Sequence, residues 1–198
     1  MKRSLLTAAA ACAFVASASV AQAQNMSPVK FGVSAGASIP TGNVGKDGLG
    51  NDISFSDVAS TGSNVTGHLG FMAPMVPVGL RADVSWNKFG GKTISGVSLP
   101  DLSILSGTLN GIFNLSAGMP ASPYLLAGVG AYRSKSDCNG CSNSSNTDFG
   151  LNGGIGMKFN LSGFSTFAEA RYHYIMSKDS KTGAENTKFI PISFGIMF

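Results

Sequence analysis

The feature that most limits what this chain can fold into is a period-two alternation of apolar with small or polar residues. It recurs in eight stretches and ends the chain on an aromatic residue. In the last stretch Ile190, Ile192, Phe194, Ile196 and Phe198 share one side, and Pro191, Ser193, Gly195 and Met197 the other. Successive side chains of a strand point to opposite faces, so each stretch has one greasy face and one small or polar face. The spacing predicts strands over 30–40, 65–73, 78–87, 102–115, 123–133, 149–159, 167–174 and 188–198. The third is the clearest, with Val78, Leu80, Ala82, Val84 and Trp86 opposite Gly79, Arg81, Asp83, Ser85 and Asn87. In the fourth, Ile112 interrupts the polar face. The fifth is undecided, since Tyr124, Leu126 and Tyr132 oppose Leu125, Val129 and Ala131 and either side suits apolar surroundings.

The connections divide into two kinds. Segments 41–61, 88–100, 134–146 and 177–187 are long and polar, while 74–77, 116–122 and 160–163 are short, and the two kinds alternate along the chain. Long loops on one side and tight turns on the other mark an all-β, eight-stranded antiparallel up-and-down transmembrane β-barrel, with both termini on the short-turn side. In hydrocarbon an open sheet edge leaves backbone groups unpaired at several kcal/mol each, so strand one is expected to pair with strand eight. Pro191 removes one donor from that ladder, near the long-loop rim where water or a bulge accepts the loss. Outward aromatics test the phase independently. Phe31, Phe71, Phe113, Phe159 and Phe198 fall toward the short turns, and Trp86, Phe149, Tyr172 and Tyr174 toward the long loops, as two membrane-interface belts require. A soluble sandwich shares the alternation, but its outer face carries more charge than the Gly, Ser and Thr found here.

The first residues fit export. Lys2 and Arg3 precede an apolar run ending in Ala21-Gln22-Ala23, so residues 1–23 read as a signal peptide and 24–198 as one barrel domain. Loss of Lys2 and Arg3 takes the fourteen basic residues to twelve, against ten acidic, and no basic block argues for nucleic acid. The 26 glycines follow no Gly-x-y period, which excludes collagen. Cys138 and Cys141 remain after the leader takes Cys12. They read first as a local disulfide pinning a loop tip, then as free thiols, and last as a metal or redox site, for which no nearby His completes a shell.

An eight-stranded interior is only wide enough for side chains to fill. Facing it are Lys30, Arg81, Asp83, Lys158, Glu169 and Arg171, with His68 and His173. Strands three and seven lie across the lumen from each other, so Arg81 and Asp83 are placed to meet Glu169 and Arg171 in a buried charge network. Inward glycines at 32, 36, 128, 130, 150, 154 and 156 leave either a pocket or room for large neighbours such as Arg81, Tyr124, Tyr132 and Phe167. Dense packing favours the second. His173 with Glu169 is the one candidate catalytic dyad, and neither G-x-S-x-G nor H-E-x-x-H occurs. Asp47, Asn51, Asp52 and Asp57 do not match a calcium-loop spacing and read as a solvated loop.

Over 30–198 the chain resembles the small eight-stranded bacterial outer-membrane β-barrel proteins, and is similar to the transmembrane domain of outer-membrane protein A. The residues that carry the resemblance are the terminal Phe198 with its alternating apolar partners, the run Pro123-Tyr124-Leu125-Leu126-Ala127-Gly128-Val129-Gly130, and Phe167-Ala168-Glu169-Ala170-Arg171-Tyr172-His173-Tyr174. It implies that the final strand, with Phe194, Ile196 and Phe198, is the signal that the barrel assembly machinery reads. The chain departs from the family pattern at Ser193, where glycine is usual, and at Pro191, where a polar residue is usual. Because the chain ends with the barrel, no peptidoglycan-binding domain is expected to follow it. The expectation is therefore a monomeric outer-membrane barrel, embedded in lipid and plugged by side chains, without cofactor, metal or catalysis, whose long loops make extracellular contacts. The alternative is a small-solute or lipid-binding barrel, or a narrow pore.

Overall fold

Residues 29–46, 52–72, 77–94, 97–98, 100–116, 119–137, 144–176 and 186–198 are described by the computed structural model. Eight strands form the barrel: β1 Val29–Thr41, β2 Gly62–Met72, β3 Val78–Phe89, β4 Asp101–Asn114, β5 Ala121–Asp137, β6 Ser144–Asn160, β7 Ser165–Met176 and β8 Thr187–Met197. Each pairs antiparallel with its sequence neighbours, and β1 pairs with β8 to close the barrel. Phe198 N–H donates to the Phe31 carbonyl at 2.7 Å and Phe31 N–H to the Phe198 carbonyl at 3.1 Å, so the seam runs to the last residue. All eight strands have at least 11 residues, enough to cross a bilayer when tilted, for which about 9–11 suffice.

The alternation decides which face meets lipid. Phe31, Leu69, Val84, Leu109, Val129, Ile155 and Phe194 lie outward, between 47% and 67% exposed, while their sequence neighbours on the other phase are buried or half-buried. The fifth strand, undecided from sequence, turns Leu125 and Val129 to lipid and buries Tyr124, Leu126 and Tyr132. The aromatic belts take the same phase, with Phe31, Phe71, Phe113, Phe159 and Phe198 outward at the short-turn end and Trp86, Phe149 and Tyr172 outward at the other. Pro191 is accommodated without a bulge. The β1–β8 register passes through Ser38 and Pro191 unbroken, and the lost donor shows on the other edge, where pairing with β7 skips from Ala170/Ile192 to His173/Phe189.

Where they are described, connections 41–61 and 134–146 are more structured than the polar composition suggests. β5 and β6 each run 17 residues, so most of 134–146 is strand rather than loop. Cys138 and Cys141 lie outside the described residues. Within 41–61, Asn43–Lys46 pairs with Asp52–Ser54, and a single-turn helix α1, Phe55–Val58, follows. Asp57 accepts from the Ser54 N–H at 3.1 Å and so caps α1, the preferred partner for a free N-terminal donor. Asp47 and Asn51 lie outside the described residues. Phe55 N–H to the Gly42 carbonyl and Ser60 N–H to the Gly90 carbonyl, at 2.7 and 2.9 Å, tie this segment across the mouth of the barrel. What draws it there is Phe55, an apolar ring 3% exposed.

Candidate functional site

The lumen is filled in three tiers. At the long-loop end Phe89, Ile104, Tyr132, Ile175 and Phe189 point inward and pack with Phe55 and Ala59 from above. At the short-turn end Ile112, Tyr124, Leu126, Phe167 and Met197 form a second apolar layer. Ile112, which broke the polar pattern of its strand, belongs to this layer and is 2% exposed.

Between the layers lies the charged tier. Arg81 Nη2 donates to both Glu169 carboxylate oxygens at 2.9 and 2.8 Å, reaching across the lumen from β3 to β7. Arg81 Nε lies 3.0 Å from Asp83 Oδ1, and Arg171 Nη1 lies 2.8 Å from Asp83 Oδ2. Arg171 Nε also donates to Glu169, which closes a ring of two guanidiniums and two carboxylates. Remaining acceptor capacity is filled by Tyr124, whose hydroxyl donates to Glu169 at 2.6 Å, and by Asn110, whose amide donates to Asp83 at 2.8 Å. Alternating charges at this spacing answer the cost of burying each ion, since every carboxylate oxygen has a donor and the four formal charges sum to zero. Phe167 supports the ring from below, with the Arg81 guanidinium 5.9 Å from its centroid.

Of the six predicted charges, Arg81, Asp83, Glu169 and Arg171 meet in this ring. Lys30 and Lys158 stand apart. Lys158 pairs in register with Phe167, two residues closer to the short turns than the Gly156/Glu169 pair. Among the described residues neither lysine lies within ion-pair distance of a carboxylate. For Lys158 the reason is depth, one inward step nearer the short turns than Glu169.

A second polar web lies above the ring on the β8–β1–β2–β3 side. Ser193 Oγ donates to Asn64 Oδ1 at 2.8 Å, Asn64 Nδ2 to Ser38 Oγ at 3.2 Å, and Ser38 Oγ to Asn87 Oδ1 at 2.7 Å. Gly36 sits between Ser193 and Asn64 in register, and a Cβ there would stand 1.9 Å from the Ile192 carbonyl oxygen. The serine where the family pattern has glycine is thus bonded across a glycine on the neighbouring strand.

Sequence reasoning did not find the chain Ser34–His68–Asp83. Ser34 Oγ lies 2.9 Å from His68 Nε2, and His68 Nδ1 lies 2.7 Å from Asp83 Oδ1. The signal was the inward phase shared by three neighbouring strands, which brings together residues 34 and 15 positions apart. Hydroxyl, imidazole and carboxylate in this order activate a serine where an acyl group can reach it. Here Ser34 is 5% exposed between two apolar layers, and Asp83 is already held by Arg81, Arg171 and Asn110. The chain ties β1 and β2 to the charged ring. His173 and Glu169 form no dyad either, because the His173 Nδ1 lies 2.8 Å from the Tyr132 hydroxyl and Glu169 is occupied by the arginines. Among the described residues no group of three or more His, Cys, Asp or Glu is placed to hold a metal ion.

The inward glycines make room for this filling. A Cβ on Gly156 would fall 2.2 Å from Cζ of the Tyr124 ring, one on Gly150 2.8 Å from Tyr132 Cε2, and one on Gly154 3.0 Å from Arg171 Cγ. Gly156→Ala is therefore expected to displace Tyr124 from Glu169 and to cost about 1–3 kcal/mol by overpacking. Urea unfolding from lipid vesicles measures it. The same substitution in a Tyr124→Leu background should cost clearly less, and an equal cost in both backgrounds would show that the ring does not fill the glycine's space.

The family model for the outer membrane protein beta-barrel domain matches residues 8–198. No curated protein matches. The fold is similar to that of Neisserial surface protein A, with a TM-score of 0.62 and 21% identity over 88% of this chain and 98% of that one. It is also similar to Ail, the attachment invasion locus protein of Yersinia pestis, solved in complex with the heparin analogue sucrose octasulfate, with a TM-score of 0.51 and 19% identity over 86% and 99%. A major outer membrane protein from Thermus thermophilus gives a TM-score of 0.52 at 14% identity, covering 86% and 98%.

Proposed function

Because the chain belongs to the outer membrane protein beta-barrel domain family, we propose that it serves the outer membrane as a closed wall element whose long loops meet partners outside the cell. The observation that carries this reading is the lumen: a fully paired ring of charge lies between two apolar layers, and α1 covers the upper one. A hydrated solute entering from either side would have to leave its water at the first layer, so the interior serves cohesion rather than passage. Sequence supports the remaining steps. Residues 1–23 direct export and are removed, the barrel assembly machinery reads Phe194, Ile196 and Phe198 on the final strand, and the inserted protein stays a monomer in lipid. Phe194 is 67% exposed on the lipid face of the folded barrel. Cys138 and Cys141, which fall in sequence between the two longest strands, oxidise to a local bridge outside the cell. That Ail was solved with a sulfated glycan analogue supports a role for this kind of barrel in surface contact.

The test is electrical. Reconstituted in planar bilayers, the intact protein is expected to give a flat current trace over the range of voltages that leaves the membrane intact. Discrete conductance steps well above background would overturn the closed-wall reading in favour of a narrow pore.

A further inference from the structure

The short-turn mouth of the lumen brings two cations to one level. Following the strand pairings round the barrel from Lys30 leads through Asn110 on β4 and Asn152 on β6 back to Pro40, ten residues further along β1. The hydrogen-bonded rows therefore climb toward the long loops by ten residues in each circuit of eight strands, as strand tilt in a closed barrel requires. Asn152 is five strands from Lys30 and so stands about six residues above its level. Because β6 descends toward the short turns, the residue level with Lys30 on that strand is Lys158. The same reckoning over three strands puts Asn114 of β4 on this level.

The two lysines are close enough to repel each other, and no carboxylate offsets the repulsion on Lys158. In sequence, the stretches 24–34, 70–80, 110–126, 156–168 and 192–198 that lead into and out of the short-turn end contain no Asp or Glu. Above them Glu169 is filled by Arg81, Arg171 and Tyr124. The Phe198 carboxylate, one oxygen of which accepts the Phe31 N–H, balances at most one of the two charges. Asn114 adds a requirement of the opposite kind. Its Nδ2 donates to the Pro77 carbonyl at 3.3 Å, which fixes the amide and leaves Oδ1 buried with no partner. A buried acceptor of this sort calls for a donor. Ser122 and Ser165, close to the same level, spend their hydroxyls on Ser116 and Asn160. A cavity of about 10 Å³ lies against Asn114 and Lys158 and extends to Tyr124 and Arg81. That is roughly the space one water-sized oxygen takes.

We infer that this tier seats a single phosphate group that still carries a proton. Lys30 and Lys158 pair with its anionic oxygens, one oxygen enters the cavity, and the P–OH donates to Asn114 Oδ1. An ammonium is a compact charge with three rotatable donors, so two of them hold a phosphate without a planar fork. Sulfate matches the charge and shape and has no hydrogen for Asn114. The orientation proposed above, with the long loops outside the cell, decides only the source. Free inorganic phosphate in the compartment beneath the outer membrane and a phosphomonoester lipid of the inner leaflet present the same group.

The full chain, folded in a maltoside detergent and checked for heat-dependent mobility on SDS gels, is exposed to an amine-reactive ester. The modification rate of each lysine is read by peptide mass spectrometry, with and without inorganic phosphate at constant ionic strength. At ten times its half-protecting concentration, phosphate is expected to slow Lys30 and Lys158 about tenfold, as mass action requires, and to leave Lys88 and Lys135 unchanged. Sulfate should need about tenfold more, the equivalent of one hydrogen bond. In K158Q the protection of Lys30 should be lost. Absence of protection, equal slowing of Lys88 and Lys135, sulfate as effective as phosphate, or full protection of Lys30 in K158Q would each overturn the inference. The first three are read on the intact protein and decide the matter even where the variant fails to fold. Nanodiscs containing phosphatidic acid separate the sources. Protection before any phosphate is added assigns the seat to the lipid, and protection only on its addition assigns it to the free ion. A conducting lumen would sink the closed-wall reading and leave these rates untouched.

Discussion

Replacing Arg81 with methionine is expected to destabilise the folded barrel by about 3–5 kcal/mol, the cost of leaving a buried ion partner uncompensated. The guanidinium is 2% exposed and bonds to Glu169 twice and to Asp83, so its removal leaves two carboxylates facing one remaining arginine. Methionine retains the volume and the contact with Phe167, which isolates the loss of charge from a loss of packing. Adding Glu169→Gln should recover part of the loss, because Arg171 and Asp83 then remain as a balanced pair 2.8 Å apart. The measurement is the urea midpoint in lipid vesicles for both single variants and the double. A shift for R81M below about 0.5 kcal/mol, or a double variant whose loss equals the sum of the two singles, would show that the ring is not one coupled unit.

That ring was legible because parity alone locates it. Arg81 and Asp83 share the inward phase of their strand, Glu169 and Arg171 share that of theirs, and in an eight-stranded closure the third and seventh strands face each other across a lumen that only side chains can fill. Parity says nothing about depth along the axis, which is why Lys158 reads as a member of the network from sequence. The fifth strand was illegible for a related reason: Tyr124 and Leu126 belong to the lower apolar layer and Tyr132 to the upper one, so its inner face is as apolar as its outer.

The apolar layers themselves were harder to see. Phe89, Ile175 and Phe189 sit at strand ends, where composition turns polar and the segments read as loop or margin. Counting parity two residues beyond Asn87 puts Phe89 inside, and two beyond His173 puts Ile175 inside, so the signal existed. For Phe55 none did. It lies in a run of Asn, Asp, Ser and Gly, and only the closed mouth below it, carpeted with Phe89 and Phe189, gives that ring somewhere to go. Long-range burial of this kind leaves no local periodicity. The small inward residues show the opposite case, since Gly150, Gly154 and Gly156 are intelligible once the side chains they accommodate are known, yet they name no partner in advance.

Phe189→Ala should cost about 3–5 kcal/mol, the range for deleting a buried aromatic and leaving a cavity. Phe189 is 0% exposed. It stacks on His173, with centroids 4.7 Å apart and planes 5° from parallel, and takes an edge contact from Phe89 at 5.6 Å. Phe89 in turn meets Phe55 of α1 at 5.4 Å, so two rings in succession, Phe89 and Phe189, connect the outer cover to His173. Collapse into the void is resisted by the barrel wall, which keeps its hydrogen-bonded circumference whatever fills it, and the cost should therefore lie toward the upper end. Two readouts test this. The urea midpoint should fall, and His173 should become reactive to diethyl pyrocarbonate in the folded variant while staying protected in the intact protein. Phe189→Leu, which keeps most of the volume, should lose less than about 1.5 kcal/mol and keep His173 protected. If Phe189→Ala shifts the midpoint by less than about 1 kcal/mol and leaves His173 unreactive, the upper layer is not the seal, and closure of the lumen rests on the ring and the lower layer alone.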